Sequence, residues 1–179
     1  MRMKAGITVP QIIFKYRVRD ASIGGDNPFR WQDVTSDEIF SNKKVVVFSL
    51  PGAFTPTCST FHLPGFEAAY AELKQLGVDE VYVLSVNDTF VMRKWMLDQD
   101  IKNIKFIPDG NGDFTRQMGM LVDKHNLGFG QRSWRYAMVV NNSVVEHWLE
   151  EPGREDNNGA GSFSVSSAES VLATLKSQG

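Results

Sequence analysis

Val45-Val46-Val47-Phe48-Ser49-Leu50-Pro51-Gly52-Ala53-Phe54-Thr55-Pro56-Thr57-Cys58 decides the reading of this chain. Residues 45–50 form a continuous, largely β-branched run, as expected of a strand covered on both faces. Pro51-Gly52 stops it. Beyond the turn, Phe61, Phe66, Tyr70, Leu73 and Leu76 are spaced for one side of a helix that ends at Gly77. Pro64 should kink or restart that helix. The chain's one cysteine therefore falls in or near a first helical turn, just past the end of a buried strand.

The pattern continues on both sides. Phe14, Tyr16 and Val18 alternate with Lys15, Arg17 and Arg19, a half-exposed strand. Thr35-Ser36-Asp37-Glu38 is a capping box that opens a short helix. Val81–Val86 reads as a second buried strand, and Phe90–Asp98 as a helix with Val91, Trp95 and Met96 inward. Lys105–Ile107 is a short strand ended by Pro108, and Phe114–Met120 a short helix. Arg135–Val140 and Val144–Leu149 form a hairpin across Asn141-Asn142-Ser143. Ser166-Ser167-Ala168-Glu169 is a second capping box, opening a last helix with Val171, Leu172 and Leu175. Gly159-Ala160-Gly161-Ser162 reads as a flexible loop before it. Alternating strands and helices followed by a hairpin predict an α/β fold with a central mixed sheet flanked by helices.

Composition narrows the function. A chain of 179 residues suits one domain, 1–179, whose core needs no metal or disulfide staple. Lys plus Arg number 19 against 21 Asp plus Glu, a net charge of −2, which gives no footprint for nucleic acid or an anionic membrane. No stretch approaches the length of a membrane span. Met1-Arg2-Met3-Lys4-Ala5-Gly6 carries no apolar run behind it, so no secretory signal is read and a cytoplasmic location is expected. His62, His125 and His147 make no metal-binding spacing. Asp109-Gly110-Asn111-Gly112-Asp113 starts like a calcium loop, but Phe114 and Met120 occupy its glycine and glutamate positions, so it reads as a turn.

Cys58 carries the chemistry. Unpaired N–H groups and the dipole at a helix start favour thiolate over thiol. Thr55, three residues earlier, can place a hydroxyl beside the sulfur, and Pro51 adds a wall without an N–H. Downstream, Arg132 and Arg135 enter the hairpin strand with guanidinium groups able to hold an anion and a dioxygen unit together. His62, four residues after Cys58, shares its helix face and is either a base, a cationic neighbour or a hydrogen-bonded part of the wall. Other lone-cysteine chemistries fail on spacing. A cysteine phosphatase needs arginine where Pro64 stands, and a dithiol oxidoreductase needs cysteine where Phe61 stands.

Pro51-xxx-Thr55-xx-Cys58 resembles the peroxidatic motif of peroxiredoxins. The longer string through His62-Leu63-Pro64-Gly65-Phe66 is similar to the peroxiredoxin-5 (type II) subfamily, and Leu84–Asp88 and Arg132-Ser133-Trp134-Arg135-Tyr136 continue the match. The resemblance implies a thioredoxin-like fold, reduction of hydrogen peroxide and organic hydroperoxides, Arg135 as the catalytic arginine and Arg132 in support. It also implies a homodimer through loops near the site, for which Phe54, Phe129 and Trp148 are aromatic candidates. The alternative is a redox sensor or binding protein on the same fold, with slow oxidation of Cys58.

Lowering a thiol pKa from about 8.5 to roughly 5.5 raises its thiolate fraction about thirtyfold at neutral pH, but the accompanying loss of nucleophilicity takes back roughly twentyfold. Fast peroxide reduction must therefore come from positioning the O–O bond and stabilising the leaving oxygen. The Cys58 N–H, the Thr55 hydroxyl and Arg135 are the candidate donors, and no metal, flavin or haem cofactor is needed. With no second cysteine, the oxidised sulfur must meet an external thiol. Glutathione with glutaredoxin is the expected reductant, and thioredoxin the fallback.

Overall fold

A computed structural model describes residues 4–159 and 162–178, so Ala160 and Gly161 of the glycine-rich stretch lie outside the described residues. Strands β3 (Lys44–Ser49), β4 (Glu80–Ser85), β5 (Lys105–Pro108), β8 (Tyr136–Asn141) and β9 (Val144–Glu150) form one five-stranded sheet in the order β5-β4-β3-β8-β9. β3–β4 and β4–β5 are parallel, whereas β3–β8 and β8–β9 are antiparallel, so the sheet is mixed. It is a thioredoxin-like α/β fold.

The two-residue period of the strands divides their side chains between two cores. On one face Val46, Phe48, Val81, Val83, Ala137 and Val139 meet Leu63, Phe66 and Leu73 of α2 (Leu63–Gln75). Trp95 of α3 (Thr89–Asp98) and Val171 and Leu175 of α5 (Ala168–Lys176) complete that core. On the other face Val45, Val47, Leu84, Met138 and Val140 pack with Ile39 and Phe40 of α1 (Ser36–Phe40) and Phe114 of α4 (Asp113–Gln117). Phe14 of β1 (Ile13–Arg19) joins them. β1 pairs only with β2 (Phe29–Thr35), outside the main sheet. The short strands β6 (Leu121–Asp123) and β7 (Gln131–Ser133) form a second small ribbon. No helix among the described residues is long and apolar enough to cross a membrane.

Three details depart from the sequence reading. Phe61, expected inward, is 60% exposed. The backbone widens into a π turn over Cys58–His62, closed by Leu63 N–H to the Cys58 carbonyl, and the extra residue rotates Phe61 out and His62 in. Pro64 has no N–H to offer the preceding turn, so the α-helix restarts there with proline in its first turn. The last helix is capped by Ser167, which accepts from Ser170 N–H, not by Ser166, whose hydroxyl and N–H both go to Glu151. Trp148 is not on a docking face: it is 1% exposed, stacked on Tyr136 with centroids 4.4 Å apart, and donates to Glu150. At the β8–β9 turn Asn142 and Ser143 both adopt positive φ, 48° and 70°, which gives the twist that a tight hairpin requires.

Phe48 and Phe66 stack at 4.1 Å and 5°, locking the start of α2 onto β3 directly beneath the cysteine turn. Phe66→Ala should lower unfolding free energy by about 3–5 kcal/mol, the usual cost of emptying a buried aromatic site. Chemical denaturation followed by tryptophan fluorescence measures it. A loss under about 1 kcal/mol would mean that this stack does not hold the turn in place.

Candidate active site

The antiparallel pairing of β3 with β8 puts the end of one beside the start of the other, with Ser49 opposite Tyr136. The loop leaving β3 leads to Cys58, and Arg135 immediately precedes β8. Two groups 77 residues apart in sequence therefore share one end of the sheet. Helical backbone starts at Pro56, so Cys58 lies within the first turn, and its side chain is fully buried. Arg135, 6% exposed, donates from Nη2 to Cys58 Sγ at 3.3 Å and from Nη1 to His62 Nδ1 at 2.8 Å. Its guanidinium also lies 5.7 Å from the Phe163 ring.

The hydrogen bonds assign the histidine. A guanidinium can only donate, so Nδ1 of His62 is the acceptor. Nε2 then carries the proton and donates to the Ser166 carbonyl at 3.0 Å. Burial first, and the Arg135 charge second, push the His62 pKa down to about 3, against the bond to Ser166. His62 is thus a neutral acceptor that orients Arg135, and the cationic neighbour weighed from the sequence is excluded.

Ser166 is itself held. Glu151, fully buried, accepts from Ser164 N–H and Oγ, Val165 N–H, and Ser166 N–H and Oγ, at 2.6–2.9 Å. Those bonds hold the Glu151 carboxyl below the usual carboxylate range although burial acts against them. A continuous path runs from Glu151 through Ser166 and His62 to Arg135 and the sulfur. Glu151 and Phe163 carry no signal in the sequence, where an acidic residue beside Pro152-Gly153 reads as a solvated turn, and Ser166 reads there only as part of a capping box.

The other expected residues sit around this core. Thr55 Oγ1 donates to the Gly52 carbonyl at 2.7 Å rather than to the sulfur, and its carbonyl receives Ser59 N–H. Arg132 donates to the carbonyls of Phe129 and Pro51, both at 3.0 Å, so it ties the β7 side to the cysteine loop and does not touch Cys58. Gly52 permits this approach, because a Cβ there would overlap Arg132 Nη1. Asn87 fastens the same loop by accepting Ala53 N–H at 3.0 Å, and Trp95 Nε1 donates to Ser59 at 2.9 Å. Phe54, half exposed, and Phe129, partly buried, flank the loop. No cluster of three His, Cys, Asp or Glu side chains able to hold a metal occurs among the described residues.

The redoxin family profile matches residues 30–172. The chain is 60% identical over 168 residues to a peroxiredoxin of Rhizobium etli, covering 94% of each chain. It is 51% identical over 178 residues to the hybrid peroxiredoxin hyPrx5 of Haemophilus influenzae, covering 99% of this chain and 68% of that one. Among solved structures, the Plasmodium falciparum antioxidant protein, a 1-Cys peroxiredoxin, superposes with a TM-score of 0.88 at 35% identity, covering 96% of this chain and 99% of the other. With a thioredoxin-like sheet, one buried cysteine and these relatives, the chain is a redoxin. It belongs to the peroxiredoxins, the thiol peroxidases, and within them to the one-cysteine form of the peroxiredoxin-5 type.

The His62 assignment has a pH signature. Between about pH 6.5 and 3 the unfolded chain binds a proton at His62 that the folded chain does not, so stability rises with pH across that window and falls on acidification. The slope from one such group is at most about 1.4 kcal/mol per pH unit. His62→Gln should flatten the dependence in urea unfolding between pH 6.5 and 4.5. An unchanged slope would show that His62 titrates normally in the folded protein.

Proposed function

We propose that Cys58 is the peroxidatic nucleophile of a thiol peroxidase acting on hydrogen peroxide and organic hydroperoxides, with Arg135 as the group that stabilises the leaving oxygen. The observation that carries this reading is Arg135 Nη2 at 3.3 Å from Cys58 Sγ, with the guanidinium oriented by a neutral histidine. The thiolate attacks the terminal oxygen, the S–O bond forms as the O–O bond breaks, and the released hydroxide or alkoxide takes a proton from solvent. Cys58 becomes a sulfenic acid. Pro51 and Thr55 wall the pocket, the Cys58 N–H is a further donor to the peroxide, the Thr55 hydroxyl, whose one proton goes to the Gly52 carbonyl, accepts from the peroxide O–H, and Arg132 supports the loop.

Recycling follows from the single cysteine. Glutathione condenses with the sulfenic acid to a mixed disulfide and water. Glutaredoxin or a second glutathione then releases the Cys58 thiol, with thioredoxin as the alternative reductant. Because the sulfur is fully buried, the glutathione step requires the Cys58–His62 π turn to open. Residues 1–179 act as one domain in the cytoplasm, and two copies pair through the loops that carry Phe54 and Phe129.

Cys58→Ser should abolish peroxide consumption, given a thiol reductant, while circular dichroism stays unchanged. Intact mass spectrometry after one equivalent of peroxide should show one added oxygen that becomes a glutathione adduct when glutathione is present. Substantial turnover by the folded serine variant, or a Cys58–Cys58 product under the same conditions, would contradict the scheme. Slow oxidation of the wild type without continuous turnover would favour the sensor reading.

A further inference from the structure

Outside Cys58 lies a hollow of about 300 Å³ lined by Pro51, Thr55, Thr57, Lys124, Phe129 and Arg135, among others. It is several times the size needed for hydrogen peroxide, a molecule little larger than the roughly 30 Å³ share of one water. Its wall contains one feature that the peroxidase chemistry does not use. Lys124, between β6 and the turn at 125–127, is only 4% exposed. Its Nζ has neither a hydrogen-bond acceptor nor an ion-pair partner among the described residues, and lies 5.8 Å from the Trp134 ring.

The placement is held by the backbone: Lys124 N–H donates to the Gly130 carbonyl, and its own carbonyl receives Leu127 and Phe129 N–H. Burial, and then the Arg135 charge, hold its amine below the usual lysine range, while Cys58 acts in the opposite direction. The carboxylate lining the adjoining crevice, Glu151, already accepts five bonds from residues 164–166. Arg132 is occupied by two carbonyls, and Arg135 by Cys58 and His62. Arg135 Nε also lacks an acceptor. Three cations thus stand about one sulfur, and the one without an acceptor for its charged end lines both the hollow and the crevice beside Trp134. The stem of Lys124 is covered while its Nζ reaches solvent, and an ammonium without a partner in so enclosed a place gains from an anionic ligand that completes it.

We propose that Lys124 is the anion-binding point of this hollow, taking a carboxylate on the molecule that docks beside Cys58. The inference rests on the peroxidase reading and adds to it a preference among the molecules using the site. The carboxylate has two possible carriers, a thiol reductant such as glutathione or a hydroperoxide such as that of a fatty acid, and the apolar faces of Pro51 and Phe129 suit the body of either.

The test compares each acid with its neutral ester, so that any general effect of Lys124 on the sulfur cancels. Stopped-flow rates are measured on the full chain with linoleic acid hydroperoxide and its methyl ester. Mixed-disulfide formation from the sulfenic acid is measured with glutathione and its dimethyl ester. In at least one arm the wild type should favour the acid. Lys124→Met should reduce that acid-to-ester ratio by about tenfold or more, the loss expected of one charge-assisted hydrogen bond, and Lys124→Arg should keep most of it. A change confined to the thiol arm makes the reductant the carrier, and one confined to the peroxide arm makes it the substrate. Equal rates for acid and ester in the wild type, or ratios unmoved by Lys124→Met, overturn the proposal even if the variants fold poorly, since the first readout needs no variant. Failure of the wild type to consume hydrogen peroxide in the same run refutes the peroxidase reading instead.

Discussion

The site depends on a guanidinium held between a sulfur and an uncharged imidazole. Arg135 approaches Cys58 with one nitrogen because His62 accepts from the other, and His62 can do so only while it is unprotonated. A protonated imidazole would have no lone pair to offer and would add a charge beside Arg135. Complete burial between Phe48, Phe66 and Phe163 keeps that proton away. The apolar core beneath the helix start therefore has an electrostatic consequence: it fixes the protonation state that aims the arginine.

Topology makes the arrangement possible. Parallel pairing of β3 with β4 leaves room after β3 for a crossover through the Cys58–His62 π turn and α2, the turn supplying Cys58 at its start and His62 at its end. Antiparallel pairing of β3 with β8 returns Arg135 to the same end. The α5 approach brings Ser166 over the imidazole, and Glu151, just past the end of β9, latches that approach in place. Elements from across the chain thus converge on one guanidinium, whereas Arg132 braces the cysteine loop through backbone carbonyls.

Much of this was legible in the residues. The runs 45–50 and 81–86 announce central strands because burial on both faces removes polar positions. The Pro51, Thr55 and Cys58 spacing likewise marks the loop, and the geometry places Arg135 rather than Arg132 beside the sulfur. β2, β6 and β7 were not legible: Phe29–Thr35 mixes half-exposed residues without a clear period, and three-residue strands are too short to show one. Phe61 turns outward because the 3.6-residue period does not hold through a segment where Pro64 removes a donor and the backbone widens to an i to i+5 turn. Glu151 and Lys124 were invisible for a different reason. A charged side chain carries no local sign of burial, and only the closing of distant loops over it creates the site.

The central claim is that the oriented guanidinium of Arg135, not positive charge alone, accelerates the reaction of Cys58 with peroxide. The most direct measurement is the second-order rate of that step by stopped-flow for Arg135→Lys, which keeps the charge but loses the fork, beside Arg132→Lys. The account predicts a loss of about two orders of magnitude or more for Arg135→Lys, the scale of removing an oriented donor to a leaving oxygen, and a smaller one for Arg132→Lys. A lysine at 135 that kept the rate within a few-fold of the wild type, or a larger loss at 132, would contradict it.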